Sequence, residues 1–270
     1  MNIENLIKVN DEKTKSKLLD YIGEDFKKVP YLYLDLEKYG LGNDNVETWY
    51  YNYNDDVKCI FLRYFNCLHI YTKNLNDNIE NLIDNVINNL KPHTIITIDK
   101  VGLYLENKLF DKYKMIINKV LDGTNVLPNG IYYKVEEACR NDLSEVANLF
   151  LKSEHFQTIY TKDILLKQLE SRYDSKFGRT FIVRDNEKIV GSISTYGENK
   201  KFAILSGFII DETFKKPGLA VSLAKWVSKV LGEEGKRSIS INSFDNERSI
   251  NFALKMGNVI LADIYEFIKL

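Results

Sequence analysis

Between Ile79 and Leu90 the apolar residues Ile79, Leu82, Ile83, Val86, Ile87 and Leu90 recur every third or fourth position. That spacing predicts an amphipathic helix, and Pro92 stops it. The same period predicts a helix over Thr14–Tyr21, with Leu18, Leu19 and Ile22 inward. Tyr31–Leu36 is apolar without a deciding period. Three strand-like runs follow at Glu47–Tyr53, Val57–Tyr64 and Cys67–Thr72. The turn residues Asn54, Asp55 and Asp56 separate the first two, and the spacing predicts an antiparallel meander. Thr94–Ile98 reads as a short buried strand and Val101–Leu121 as a further helix.

The densest cluster of turn residues runs from Asp122-Gly123 to Pro128-Asn129-Gly130. A domain boundary is expected there, giving domains 1–125 and 126–270. The second half restarts with an expected strand at Ile131–Glu136. Asp142 is expected to cap a helix with Glu145 as its capping-box partner, and Leu143, Val146, Ala147, Phe150 and Leu151 form that helix's apolar face. A helix over Ile164–Arg172 precedes strands at Thr180–Val183 and Ile189–Ser194, joined by the hairpin turn Asp185–Lys188. The remaining order is strand Phe202–Ile210, a helix ending at Leu231, strand Ser238–Asn242, helix Ser249–Lys255 and strand Val259–Leu270. The second half thus reads β-α-α-β-β-β-α-β-α-β, and the first a blurred α-β-β-β-α-β-α. The class is mixed α/β with a mostly antiparallel central sheet flanked by helices.

Composition narrows the chemistry. The 270 residues carry a formal net charge of −1 and show no basic stripe, so nucleic acid is not an expected partner. Cys59, Cys67 and Cys139 form no metal-type pair and read as reduced thiols of a cytoplasmic protein. No His, Asp and Glu cluster has metal-ligand spacing, and no apolar run is long enough to span a membrane.

The informative segment is Leu205–Val221, LSGFIIDETFKKPGLAV. A strand enters a short loop, then a helix whose first turn holds Pro217, Gly218 and Ala220. Small residues let a ligand approach the backbone, and the unpaired amides of a helix N-terminus favour an anion. A pyrophosphate suits the amides of Lys216–Val221, with Lys215 and Lys216 adding positive charge. Downstream, Asn246 to Asn258 follows a strand and opens a helix that ends at Gly257.

Together these segments resemble the GNAT superfamily of acetyl-CoA-dependent N-acetyltransferases over about residues 130–270. The family's pyrophosphate loop, Gln/Arg-x-x-Gly-x-Gly/Ala, reads Lys215-Lys216-Pro217-Gly218-Leu219-Ala220 here. Its second motif, roughly Asn-x-x-Ala-x-x-Leu-Tyr-x-x-x-Gly-Phe, reads Asn246 to Asn258 with Ser249, Phe252, Ala253 and Asn258 as departures. Ala253 stands where many members carry a general-acid Tyr. The first half, which lacks a Gly-x-Gly/Ala loop, is expected to be a degenerate copy of the fold.

The resemblance implies acetyl-CoA as cosubstrate and a primary amine of a small molecule, amino acid or peptide as acceptor. Phe208, Ile209 and Ile210 would pair with the pantetheine, residues 215–221 (Leu219 and Val221 included) would hold the pyrophosphate, and Asn246 would bind the pantetheine or a water. Tyr265 and Ser206 are the candidate catalytic residues; Tyr196, Glu198 and His155 are weaker ones. The alternative is a catalytically silent acyl-CoA sensor or scaffold. The expected assembly is a monomer or homodimer.

Overall fold

The computed structural model describes residues 6–42, 45–123, 133–153, 156–157, 161–214 and 216–270. Two compact units emerge. The first comprises 1–120, 242–247 and 260–270; the second, 121–241 and 248–259. The expected boundary at 125/126 falls outside the described residues, and the last strand counts with the first unit.

In the first unit, α1 (Glu12–Ile22) starts at Asp11, whose carboxylate accepts the Thr14 amide, and α2 spans Pro30–Tyr39. Strands β2 (Val46–Tyr53), β3 (Asp56–Tyr64) and β4 (Cys67–Tyr71) form the expected meander. β1 (Leu6–Lys8) extends it at β2. Helix α3 (Asp77–Leu90) crosses over to β5 (Thr94–Ile98), which runs parallel to β4. β12 (Val259–Lys269) then pairs antiparallel with β5. The apolar stripe of α3 packs on Phe61, Leu68 and Ile95 in one core cluster.

One expectation is corrected here. Val101–Leu121 is not one helix: α4 covers Asp99–Leu109, and β6 runs from Tyr113 to Gly123. The apolar period continues past Phe110, but the β-branched residues Ile116, Ile117 and Val120 suit a pleated strand, and sheet pairing overrides the helical pattern.

The second unit repeats the plan. α5 (Leu143–Phe150) and α6 (Lys162–Asp174) precede β8 (Thr180–Asp185), β9 (Lys188–Glu198) and β10 (Phe202–Ile210). Helix α7 (Leu219–Glu233) crosses over to β11 (Arg237–Ser243), parallel to β10, and α8 (Glu247–Lys255) follows. The hairpin turns at Asn186 and Glu187, both at positive φ (47° and 70°), as a two-residue turn matching strand twist requires. Phe181 and Val183 face α7 through Leu219, Leu223 and Val227, whereas Ile182 joins α5 and α6 through Phe150 and Leu169. That alternation lets helices cover both sheet faces.

Two local expectations differ. Of the strand expected at Ile131–Glu136, residues 131–132 lie outside the described residues, and β7 is only Glu136–Glu137, paired with β8. Asp142 does not cap α5 with its side chain. Arg184 draws its carboxylate at 2.6 Å, and Glu145 instead accepts the Ile189 amide at 2.7 Å. The charged guanidinium takes one carboxylate oxygen of Asp142 while the other accepts the Cys139 amide at 2.9 Å, and neither caps α5. No helix among the described residues is long and apolar enough to cross a membrane.

Candidate functional site

The site forms where β10 leaves β11. Parallel pairing joins Phe202–Leu205 to Arg237–Ser240 and stops. Beyond it, β10 keeps β9 through Ser206↔Ser194, Ile209↔Ser192 and Ile210↔Gly191, with a register shift between Ser206 and Ile209. Two residues of β10 therefore oppose one of β9, a β-bulge. Gly207 turns the strand there at φ +56°, and a Cβ on it would stand 2.5 Å from Phe150 Cζ. Leu205 and Ile210 pack on the α7 side while Ile209 packs on the α5–α6 side. The bulge thus breaks the two-residue alternation that would set Ser206 and Phe208 on one face. We expect Gly207→Ala to lower unfolding stability by roughly 2 kcal/mol, from left-handed strain and overpacking of Phe150. Urea titration measures it, and an unchanged midpoint would refute the bulge.

Asp211 anchors the following loop. Its carboxylate is almost fully buried and accepts from Lys152 at 2.5 Å, from the Thr213 hydroxyl at 2.8 Å and from the Thr213 amide at 3.1 Å, with Lys188 at 3.4 Å. The Lys152 hydrogen bond, aided by Thr213, holds it well below the usual carboxylate range. This residue was not anticipated, although Asp-x-Thr is a turn signature visible in the chain.

The loop delivers Gly218 as the N-cap of α7 at φ +85°, ψ −8°, a left-handed geometry suited to glycine. No side chain caps this end, and no acidic residue occupies its first turn. The amides that lead α7 therefore carry the dipole's positive end toward whatever sits there. Lys216 is exposed, its ammonium 3.3 Å from Asp185 and 4.5 Å from the Phe214 ring centroid. The Pro217 carbonyl accepts from the Tyr133 hydroxyl at 3.3 Å. Leu219 is buried in the core; Ala220 and Val221 are half-buried. Lys215 and His155 lie outside the described residues.

Phe208, Ile209, Ile210 and residues 216–221 are thus a strand end and a helix start joined by one anchored loop. Phe208 is 39% exposed, its ring 5.4 Å from that of Phe252 on α8. Ala253 is buried. Two expected residues belong to the first unit instead. Asn246 is exposed and its amide donates to the Ser243 carbonyl at 2.9 Å. Tyr265 is buried in the first unit's core, paired with Thr97 and packed over Gly102, and burial raises its hydroxyl's pKa. Glu198 serves a structural network: Arg179 grips it twice, at 2.8 and 2.9 Å, and Lys236 adds 2.8 Å. Tyr196 lies under the Arg172 guanidinium.

The first unit's corresponding elements are closed. Its β4–β5 ladder ends at His69↔Ile96, and there the Thr97 hydroxyl donates to the Ile70 carbonyl at 2.9 Å. Asn76 caps α3 by accepting the Ile79 amide, and Asp77 and Glu80 occupy its first turn. A filled cap and two acidic residues oppose an anion.

Residues 144–257 match the model of the acetyltransferase (GNAT) family. The second half carries a GNAT domain. No curated protein matches the sequence. Among solved structures, the chain is similar to a GCN5-related N-acetyltransferase from Sphaerobacter thermophilus (12% identity, 100% of this chain and 97% of that one, TM-score 0.64). It is similar to a GNAT-family acetyltransferase from Colwellia psychrerythraea (11%, 98% and 99%, TM-score 0.62). A tandem GNAT protein from the clavulanic acid biosynthesis pathway also matches (12%, 98% and 98%, TM-score 0.61). At these identities the likeness establishes the fold, a tandem GNAT fold. The GNAT fold supports acyl transfer and the use of an acyl-CoA. Among the described residues no group of three His, Cys, Asp or Glu side chains could hold a metal.

Proposed function

We propose that the second unit is an N-acetyltransferase that moves the acetyl group of acetyl-CoA to a primary amine of a small molecule, amino acid or peptide. The observation carrying this is the uncapped α7 N-terminus, led by Gly218 at φ +85° and continuous with a β10 segment that has left β11. The amides of Lys216 and of Gly218 to Val221 hold the pyrophosphate, with Lys215 and Lys216 adding charge. The backbone of Phe208–Ile210 pairs with the pantetheine as an added strand would. The Phe208 amide polarises the thioester carbonyl.

The acceptor nitrogen attacks the carbonyl carbon, an N–C bond forms, and the C–S bond breaks with its electron pair leaving on sulfur. A thiol with an ordinary pKa near ~8.5 leaves without a strong protein acid, so Ala253 does not block the reaction. Ser206, half-buried at the start of the bulge, holds the water that takes the amine's proton. Tyr265, buried in the first unit's core, and Asn246, which also belongs to the first unit, are assigned no step.

Calorimetric titration with acetyl-CoA, followed by free-thiol release with a pooled amine library, tests the reading. Binding with turnover supports it. Binding without turnover across the library favours the silent acyl-CoA sensor, which Ala253 motivates. Absence of binding at high micromolar ligand refutes both.

A further inference from the structure

We propose that the acceptor amine is borne on an aromatic or branched apolar body, seated against the ring pair Phe208–Phe252. The inference rests on the acetyltransferase reading above and adds its substrate class. Phe208 exposes 39% of its surface within a strand whose residues 202–204 are fully buried. Its ring leans on Phe252 at 5.4 Å and 41°. On the other flank of the same bulge, a Cβ on Gly207 would meet the ring of Phe150 at 2.5 Å, and that ring stacks on Phe156 at 5.0 Å and 22°. The neighbouring bulge residues Gly207 and Phe208 therefore each face an aromatic ring, Phe150 and Phe252 respectively.

Charge points the same way. From Phe202 to Asp211 the only acidic residue is Asp211, already held by Lys152 and Lys188. A polyamine or aminoglycoside would find no uncommitted carboxylate along this strand. An aryl or branched alkyl group would cover ring surface that water now wets, a favourable transfer. Phe252 is followed by Ala253, so these two positions of α8 offer an apolar ring and a methyl group.

The test is a kinetic panel with acetyl-CoA and matched amines: phenethylamine and isoamylamine against ethanolamine, glycine and spermidine. The intact chain is compared with Phe252→Ala and Phe252→Leu. We expect kcat/KM for the apolar amines to exceed that for the polar ones by at least about tenfold. Phe252→Ala should raise KM for phenethylamine about tenfold, Phe252→Leu less, and neither should move the acetyl-CoA Kd more than about twofold. A flat or reversed ranking with turnover intact overturns the apolar acceptor and leaves the acetyltransferase standing. A ranking that Phe252→Ala shifts only among acetyl-, butyryl- and hexanoyl-CoA assigns the rings to the acyl chain, which also overturns it. Acetyl-CoA binding with no turnover of any amine removes the proposal together with the reading beneath it.

Discussion

Gly218→Glu should weaken acetyl-CoA binding at least about 100-fold while the chain stays folded. Two effects act together. At φ +85° any side chain costs about 1–2 kcal/mol, because its Cβ crowds the following carbonyl. A carboxylate at the first turn also meets the diphosphate directly, where the helix dipole otherwise favours the anion. Gly218→Ala separates the contributions, since it carries the strain without the charge. Its Kd should rise several-fold only. Calorimetry gives both constants, and the far-ultraviolet dichroism spectrum confirms the fold. Equal affinity in Gly218→Glu and the parent chain would remove the pyrophosphate from this corner.

Asp35→Asn should stabilise the first unit at alkaline pH, by up to about 4 kcal/mol at pH 8. Asp35 on α2 is almost fully buried, and its Oδ1 has no hydrogen-bond partner. Burial pushes its carboxyl from 3.8 up to about 7, while Lys38 pulls it back only in part. The facing His69 of β4 has its Nε2 3.7 Å from Asp35 and 3.8 Å from the Cys67 thiol. Burial lowers the imidazole to about 4, so the pair holds one proton between about 4 and about 7. The sign follows from linkage. A carboxyl whose folded pKa is raised keeps its full contribution below 3.8 and loses it as pH climbs through about 7. His69, whose folded pKa is lowered, works in the opposite sense, losing its contribution as pH falls through about 4. Asn retains the neutral shape and removes the ionisation. The stability gap between variant and parent should therefore be small at pH 4, widen as pH rises and level off above about 7. Urea unfolding at pH 4, 6 and 8 reads it. A gap that does not depend on pH would contradict the buried carboxyl as its source.

Strand and helix order was largely legible because both units bury regular faces. Ile79–Leu90 and Leu219–Leu231 show the helical period that their packing uses. The meander strands show the turn residues that separate them. Where the reading failed, two signals competed. Residues 113–121 keep apolar positions compatible with either period, and sheet pairing decided for the strand. Asp142 and Glu145 carry the capping-box pattern, but Arg184 and the Ile189 amide, distant in sequence, claim their carboxylates.

At the site, the pattern from Lys215 to Val221 pointed to the α7 N-terminus because glycine placement is a local property of the chain. The bulge at Gly207 was not legible. A glycine inside an apolar strand does not say how its partner strand is registered, and the shift to Ile209 only exists once β9 is paired. Asp211 escaped for a related reason: Lys152 and Lys188 lie 59 and 23 positions away and meet it only in the fold. Tyr265 shows the limit of reasoning from the position of an aromatic. Its place in the last strand was visible, but its burial over Gly102 depends on β12 pairing with β5.

The resting place of the coenzyme's phosphates is the decisive feature of this site. A crystal grown with CoA tests that directly. The prediction is diphosphate density within hydrogen-bond distance of the backbone amides between Lys216 and Val221, with the pantetheine running along Phe208–Ile210. Nucleotide density elsewhere, with this helix end in contact only with solvent, would contradict it.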